Sequence, residues 1–135
     1  MTSKITYLGD LRTECIHIRS GQIIITDAPL DNNGKGEAFS PTDLTATSLG
    51  TCMVTIMGIA ARNHEIDMDG ATLEITKHMA SDPRRISGID VKVKLPSDHY
   101  TKKEQKILEK AALTCPVALS LHPDINQNIV FIWGE

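Results

Sequence analysis

The sequence has few aromatic residues and little surplus of charge of either sign. Aromatics make up only 4% of the 135 residues, so the core has to be built from aliphatic side chains. The 14 Lys and Arg against 17 Asp and Glu give a net charge of −3, which argues against a phosphate-binding surface and a nucleic-acid partner. No repeat, low-complexity tract or Pro/Ser-rich linker interrupts the chain, so we predict one domain over residues 1–135.

Signals for export and for membrane insertion are also lacking. The first residues do not form a basic segment followed by an apolar one, so we expect no secretory signal. The longest apolar-leaning stretch, residues 44–61, is interrupted by threonine, serine and glycine, which favours a buried helix of a soluble protein over a membrane span. Three cysteines is an odd number, and without an export signal it favours free thiols in a reducing cytoplasm. We therefore expect a cytoplasmic protein with no membrane partner.

The spacing of histidine, cysteine and glycine indicates neither a metal site nor a phosphate loop. The five histidines show no close metal-ligand spacing with each other or with the cysteines, so no metal is expected. Gly34-Lys-Gly36 lacks the remaining residues of a phosphate loop and its strand-to-helix setting. We therefore assign no cofactor-binding residue. The turn-rich segment 28–37 predicts a loop that is mobile or faces a ligand, because loops of this composition often border functional sites.

The order of hydrophobic patterns predicts an α+β fold. Alternating β-rich runs occupy residues 4–7, 13–18 and 22–27, with a hairpin turn at Ser20-Gly21. The capping box Ser40-Pro-Thr-Asp43 opens a helix that runs to about residue 63. Two alternating segments at 71–80 and 86–95 predict a second hairpin, and they are followed by helices at 101–114 and 116–121 and a strand at 129–133. Strands in runs argue for a largely antiparallel sheet and a central helix.

Two of the cysteines lie where a reactive thiol is plausible on physical grounds. Cys115 precedes Pro116 at a helix boundary, and the first amides of a helix stabilise a thiolate, so we expect the pKa of Cys115 to be lowered. Cys52 lies in the middle of the long helix and would need an Arg or Lys from elsewhere in the chain. Each of the two can instead be a small core residue. Cys15 lies in an alternating strand beside Glu14, and we interpret it as structural.

Three features together resemble the OsmC/Ohr family of peroxide-handling proteins. They are the helix start Pro41-Thr-Asp-Leu44, the mid-helix Ser48-Leu-Gly-Thr-Cys52 and, after 62 further residues, Cys115-Pro-Val-Ala. The resemblance covers most of the chain. It implies an OsmC-like fold, with antiparallel sheets wrapped around a long central helix, and an intertwined homodimer with two active sites at the subunit interface.

The resemblance implies a two-cysteine peroxidase that reduces organic hydroperoxides. Cys52 would be the peroxidatic thiolate that becomes a sulfenic acid, and Cys115 would be the resolving thiol that condenses with it. An external thiol, such as a dihydrolipoyl group or a small dithiol, would reduce the resulting disulfide. No metal, flavin or haem is required.

The sequence departs from the peroxidase branch of that family at one position. The branch uses an Arg from the N-terminal strands and a Glu directly after the helix-opening Pro to activate the cysteine. Arg12 is the candidate for the Arg, with Arg19 as a poorer alternative, but the Glu position is Thr42 and the neighbouring acid is Asp43, which also caps the helix. Three functions stay open: a peroxidase, a non-catalytic OsmC-like stress or ligand-binding protein whose thiols are packing residues, and a thiol redox sensor that exchanges with a partner protein.

Overall fold

The chain divides into two compact units, which we describe one at a time. The structure is a computed structural model that describes residues 1–134. The first unit is Met1–Thr45, and the second begins at Ala46. The prediction of a single domain over residues 1–135 stays a prediction.

The first unit is built on a three-stranded antiparallel meander. Its strands are β1, Ser3–Gly9, β2, Arg12–His17, and β3, Ile23–Asp27, in the order β1-β2-β3. This confirms the predicted meander, with β1 longer at both ends than the alternating pattern indicated. The register places Arg12 directly opposite Asp27. A single 3-10 turn, Leu30–Asn32, lies in the turn-rich segment that follows β3.

The second unit contains a separate three-stranded sheet in which one pairing differs from the prediction. Its strands are β4, Thr72–Ala80, β5, Arg85–Leu95, and β6, Asn126–Trp133, in the order β4-β5-β6. β4 and β5 form the predicted antiparallel hairpin, but β5 and β6 are parallel, so the expectation of antiparallel sheets is wrong for this pair. The 30 residues that separate β5 from β6 form a crossover connection, and such connections join parallel strands.

The helices begin where the capping signals predicted. They are α1, Pro41–Asn63, α2, Lys102–Leu113, and α3, Pro116–Ser120. Before α1, the Asp43 amide donates to Ser40 Oγ at 3.1 Å and the Ser40 amide donates to Asp43 Oδ2 at 3.0 Å. Thr101 and Glu104 form the same reciprocal pair before α2. Each box satisfies amides that the first turn of a helix leaves unpaired.

The core of the second unit is aliphatic, as the low aromatic content predicted. A stripe of α1 is buried at helical spacing, and β5 contributes alternate residues. The fully buried members include Leu49, Met53, Met57, Ile89 and Val93. A Cβ placed on Gly50 would lie 2.6 Å from Ile75 Cδ1, so α1 approaches β4 closely at this glycine.

α1 is long and apolar enough to cross a membrane, judged by length and composition alone. Its most apolar 18 residues have a mean hydropathy of 1.6. The core helix of a soluble protein meets the same criterion, so one such helix is a weak indication of a membrane span.

Candidate active site

Cys115 lies at the junction between α2 and α3 in the second unit. It is the N-cap residue of α3, with extended backbone angles (φ −67°, ψ 147°), and its side chain accepts a hydrogen bond from the Ala118 amide, with Sγ 3.4 Å from the nitrogen. Pro116 occupies the first position of α3, where its missing N–H costs nothing. The thiol is fully buried, with 0% exposure, so nothing in solvent reaches this sulfur directly.

Cys52 lies on α1 and packs against the buried cluster that contains Cys115. It is half-buried. The neighbouring Cys52 side chain contributes to raising the pKa of Cys115. The structure therefore brings together the two cysteines that the sequence singled out, one partly open to solvent and the other closed to it, and both are free thiols.

The pKa of the Cys115 thiol is raised, which corrects the expectation that the start of α3 would lower it. The amides of Ala118 and Val117 do stabilise the thiolate, as expected, but burial of the side chain disfavours the charged form more strongly. Cys52 adds to the rise, because its interaction with Cys115 keeps the proton on Cys115. A five-residue helix is too short a dipole to offset the loss of water.

Arg12, in the first unit, is held by two carboxylates. Its Nε donates to Asp27 Oδ1 at 2.8 Å and its Nη2 to Asp27 Oδ2 at 2.9 Å, a bidentate pair. Nη2 also donates to Glu37 Oε2 at 2.8 Å. Asp27 is 1% exposed, while Glu37 is 66% exposed on its side chain. The pKa of Asp27 is lowered, mainly by the hydrogen bond from Arg12, and that of Arg12 is raised, mainly by Asp27.

Sequence reasoning missed Asp27 and Glu37 as partners of Arg12. For Asp27 a signal existed, because pairing the predicted strands 13–18 and 22–27 as a hairpin sets the ends of β2 and β3 opposite each other. Glu37 closes the turn-rich segment 28–37, and its amide donates to Asp27 Oδ2 at 3.1 Å. Nothing in the local pattern distinguishes Glu37 from other loop acids, so only the folded loop identifies it.

The remaining residues considered in the sequence occupy structural positions. Asp43 caps α1 through its bonds with Ser40, as its capping interpretation predicted. Arg19 is exposed in the turn between β2 and β3. Cys15 is half-buried in β2, with Thr13 Oγ1 3.8 Å from its sulfur. A catalytic role for Asp43 or Arg12 stays a prediction.

The chemistry available at the cysteine pair is thiol–disulfide chemistry. Two free thiols in contact can lose two electrons and two protons to form a disulfide, and an external dithiol can return them. Within residues 1–134, no cluster of three or more His, Cys, Asp and Glu side chains is placed to hold a metal ion. The fold and the paired thiols define a small α+β protein suited to thiol redox chemistry.

Comparisons with known proteins give the family. The family described as OsmC-like protein matches residues 34–130, and the chain belongs to this family. A crystal structure from Psychrobacter arcticus 273-4, of a candidate osmotic stress induced and detoxification response protein, is 58% identical, with a TM-score of 0.93 over 97% of this chain and 95% of that one.

More distant structures share the fold. An organic hydroperoxide resistance protein OsmC from Legionella pneumophila is 13% identical, with a TM-score of 0.76 over 98% of this chain and 97% of that one. An organic hydroperoxide resistance protein from Elizabethkingia anophelis is 15% identical, with a TM-score of 0.76 over 98% of this chain and 96% of that one. No curated protein matches the sequence. The family match over residues 34–130 and the 58% identical crystal structure confirm the predicted family.

Proposed function

We propose that the protein is a two-cysteine peroxidase that reduces organic hydroperoxides. The observation that carries the proposal is the packing of Cys52 against the buried cluster that contains Cys115. Two structures that share the fold are organic hydroperoxide resistance proteins, which supports this class of substrate.

The two cysteines differ in solvent exposure, and this difference supports the proposed roles. A peroxide has to reach the attacking sulfur, and only Cys52 is partly exposed. The Cys52 thiolate attacks the distal peroxide oxygen, the O–O bond breaks, and the alkoxide leaves as an alcohol after taking a proton. Cys52 is then a sulfenic acid. Cys115 attacks that sulfur, releases water and forms the Cys52–Cys115 disulfide.

Regeneration uses an external dithiol. One thiolate of the dithiol attacks the protein disulfide to form a mixed disulfide, and the second thiol of the same molecule then attacks that bond, which releases the reductant as a cyclic disulfide and returns both protein thiols. A dihydrolipoyl group or a small dithiol fits this role, and the proposed cycle uses no metal, flavin or haem. The three free thiols support a reducing cytoplasm as the location.

Arg12 remains the proposed activating residue, with Asp27 as its anchor. Asp27 engages Nε and Nη2 of the guanidinium, and Nη1 makes no hydrogen bond with any residue of the described part of the chain. Nη1 is thus the nitrogen available to an incoming oxygen. Asp43 stays a candidate for the acid of the site beside its capping role.

A homodimer is the proposed assembly. Ile5, Tyr7 and Ile24 share one face of the first sheet and are 64%, 64% and 48% exposed. Apolar side chains grouped on a sheet face are typical of an interaction surface. A second copy of the chain is the partner that the family resemblance implies.

One observation favours a second candidate, a non-catalytic OsmC-like stress or ligand-binding protein. Arg12 is paired with two carboxylates, so the cluster is negative overall, and the Glu expected after Pro41 is Thr42. In that case Cys52 and Cys115 would be packing residues.

The deciding experiment follows the thiols during oxidation. Reduced protein receives one equivalent of cumene hydroperoxide, free thiols are counted over time, and disulfides are mapped by peptide mass spectrometry. We expect a rapid fall from three thiols to one, with a Cys52–Cys115 linkage. Cys15→Ser is the matched control, because it removes a cysteine outside the pair and should leave the linkage intact.

Two variants separate the roles within the pair. Cys52→Ser should keep both remaining thiols, whereas Cys115→Ser should accumulate a sulfenic acid at Cys52 that dimedone traps. Three unreacted thiols in the wild-type protein would reject the peroxidase and favour the stress or ligand-binding protein. Oxidation that yields disulfides only with other proteins would favour the redox sensor.

A further inference from the structure

The exposed side of α2 carries four lysines in a row. Lys102, Lys103, Lys106 and Lys110, with Ile107 between them, line an open groove of about 420 Å³. The four lysines are exposed, and none forms an ion pair with any residue of the described part of the chain. Four unpaired cations within one short helix stand out on a chain whose net charge is −3.

The lysines are regularly spaced, and they lie on the side of α2 that faces away from the core of the unit. The opposite side of α2 is buried through Leu108 and Ala112, both 0% exposed. Lys102, Lys106 and Lys110 follow at intervals of four, which places their Cα atoms about 6 Å apart along the axis. Carboxylates spaced four residues apart on an acidic helix have the same repeat.

The row leads toward the cysteine pair. Leu113, three residues after Lys110 and on the same side of α2, is 54% exposed, and Leu119 on α3 is 74% exposed. Cys115 lies between these two leucines in the chain, and Cys52 packs against the cluster that contains it. The lysines therefore provide charge, and the leucines provide apolar contact on the segments that flank Cys115. Interfaces combine these two kinds of contact.

We propose that the surface formed by these four lysines, Leu113 and Leu119 docks an acidic protein that carries the dithiol reductant. This inference rests on the proposed function, because it names the partner that regenerates the disulfide. Charge complementarity supports it: unpaired lysines steer and orient a partner rich in Asp and Glu. The groove contains no arginine and no aromatic side chain, which disfavours nucleic acid.

A protein partner also fits this surface better than a lipid bilayer. The buried side of α2 is committed to the core, so the helix has no apolar face to insert into a membrane. Within the groove, Ile107 is the apolar residue, and it is partly buried against the core.

The binding test uses a labelled helical peptide with Glu at every fourth position, and the same peptide with Gln in place of Glu as its control. The Glu peptide should bind at low ionic strength and lose affinity as salt is added. Lys106→Glu/Lys110→Glu should bind it about tenfold more weakly, since two exposed ion pairs are lost and each reversal adds repulsion. Lys4→Glu/Lys35→Glu, an equal charge change in the first unit, should bind within about twofold of wild type.

The kinetic test compares two reductants of the oxidised protein. One is the Glu peptide bearing a dihydrolipoyl group, and the other is free dithiothreitol. Lys106→Glu/Lys110→Glu should slow reduction by the peptide about tenfold and leave reduction by dithiothreitol unchanged. Equal reduction of the variant and the wild type by the peptide would overturn the proposal.

The outcomes also separate this inference from the proposed function. Failure to form the Cys52–Cys115 disulfide would reject the function, while peptide binding, which needs no cysteine, would still report on the surface. Equal binding of the Glu and Gln peptides would reject the surface and leave the peroxidase intact. Binding of phosphatidylserine vesicles without binding of the Glu peptide would also overturn it, because the partner would then be a membrane.

Discussion

Two glycines of α1 allow the packing of the helix to be tested with a single added methyl group at each. Gly50 and Gly58 both lie inside α1, so replacing either by Ala gains about 1 kcal/mol of helix propensity. Their surroundings differ. A Cβ on Gly58 has no neighbour within 4 Å, whereas one on Gly50 meets Ile75 Cδ1 at 2.6 Å and Ile75 Cγ1 at 3.3 Å.

The contacts decide the sign of each change. Gly58→Ala should raise the free energy of unfolding by about 1 kcal/mol, because nothing opposes the propensity gain. At Gly50 the end of the Ile75 side chain can rotate away, but Leu73 Cδ2 at 3.6 Å restricts the space. Overpacking a core costs about 1–3 kcal/mol. Gly50→Ala should therefore range from no change to a loss of about 2 kcal/mol.

The assay is urea unfolding of both variants and wild type at one protein concentration, because a dimer would make stability depend on concentration. The expected gap between the two variants is about 1–3 kcal/mol, or roughly 4 °C in Tm for each kcal/mol. A Gly50→Ala protein that gains the full propensity would show that α1 does not approach β4 as described. A Gly58→Ala protein that is less stable than wild type would show that this side of α1 is covered.

Two further predictions concern titrating groups. The pKa of Asp27 is below its ordinary value of 3.8, so its bond to Arg12 stabilises the fold above about pH 4 and is lost as the pH falls through the lowered pKa. The Tm difference between wild type and Asp27→Asn should be constant from pH 5 to 7 and shrink progressively as the pH falls below about 4, and a difference that stays constant as the pH falls to about 2 would contradict this. In a Cys52→Ser protein, Cys115 should react with iodoacetamide far more slowly in the native state than in urea, since burial closes access and raises its pKa. Equal rates at pH 8 would show that this thiol is open.

The parts of the fold that local chemistry determines were predictable. The capping boxes at Ser40 and Thr101 lie within four residues, so each helix start could be predicted from its own sequence. The β4–β5 hairpin follows from alternation and a short turn. The parallel pairing of β6 with β5 was not predictable in this way, because it depends on a contact formed across two intervening helices.

In the candidate site, too, the residues could be predicted from the sequence but their tertiary surroundings could not. Cys52 and Cys115 were found from a motif that spans the chain, but their proximity and the burial of Cys115 depend on tertiary packing. The helix-terminus argument named a real interaction, the Ala118 amide at the Cys115 sulfur, and predicted the wrong direction. Burial is a property of the whole unit, and here it outweighs a local dipole.

The burial and the raised pKa of Cys115 are consistent with its proposed role as the resolving thiol. A thiol that is protonated and closed to solvent at neutral pH is a poor first nucleophile, because the thiolate is the attacking form and a peroxide has to reach it. The later step, in which Cys115 attacks the Cys52 sulfur, needs no access from solvent, because Cys52 packs against the cluster that contains Cys115. Once Cys52 is a sulfenic acid, the proton of Cys115 can leave with the departing hydroxide as water. Burial of Cys115 thus supports the proposed order of the two steps, with Cys52 reacting first.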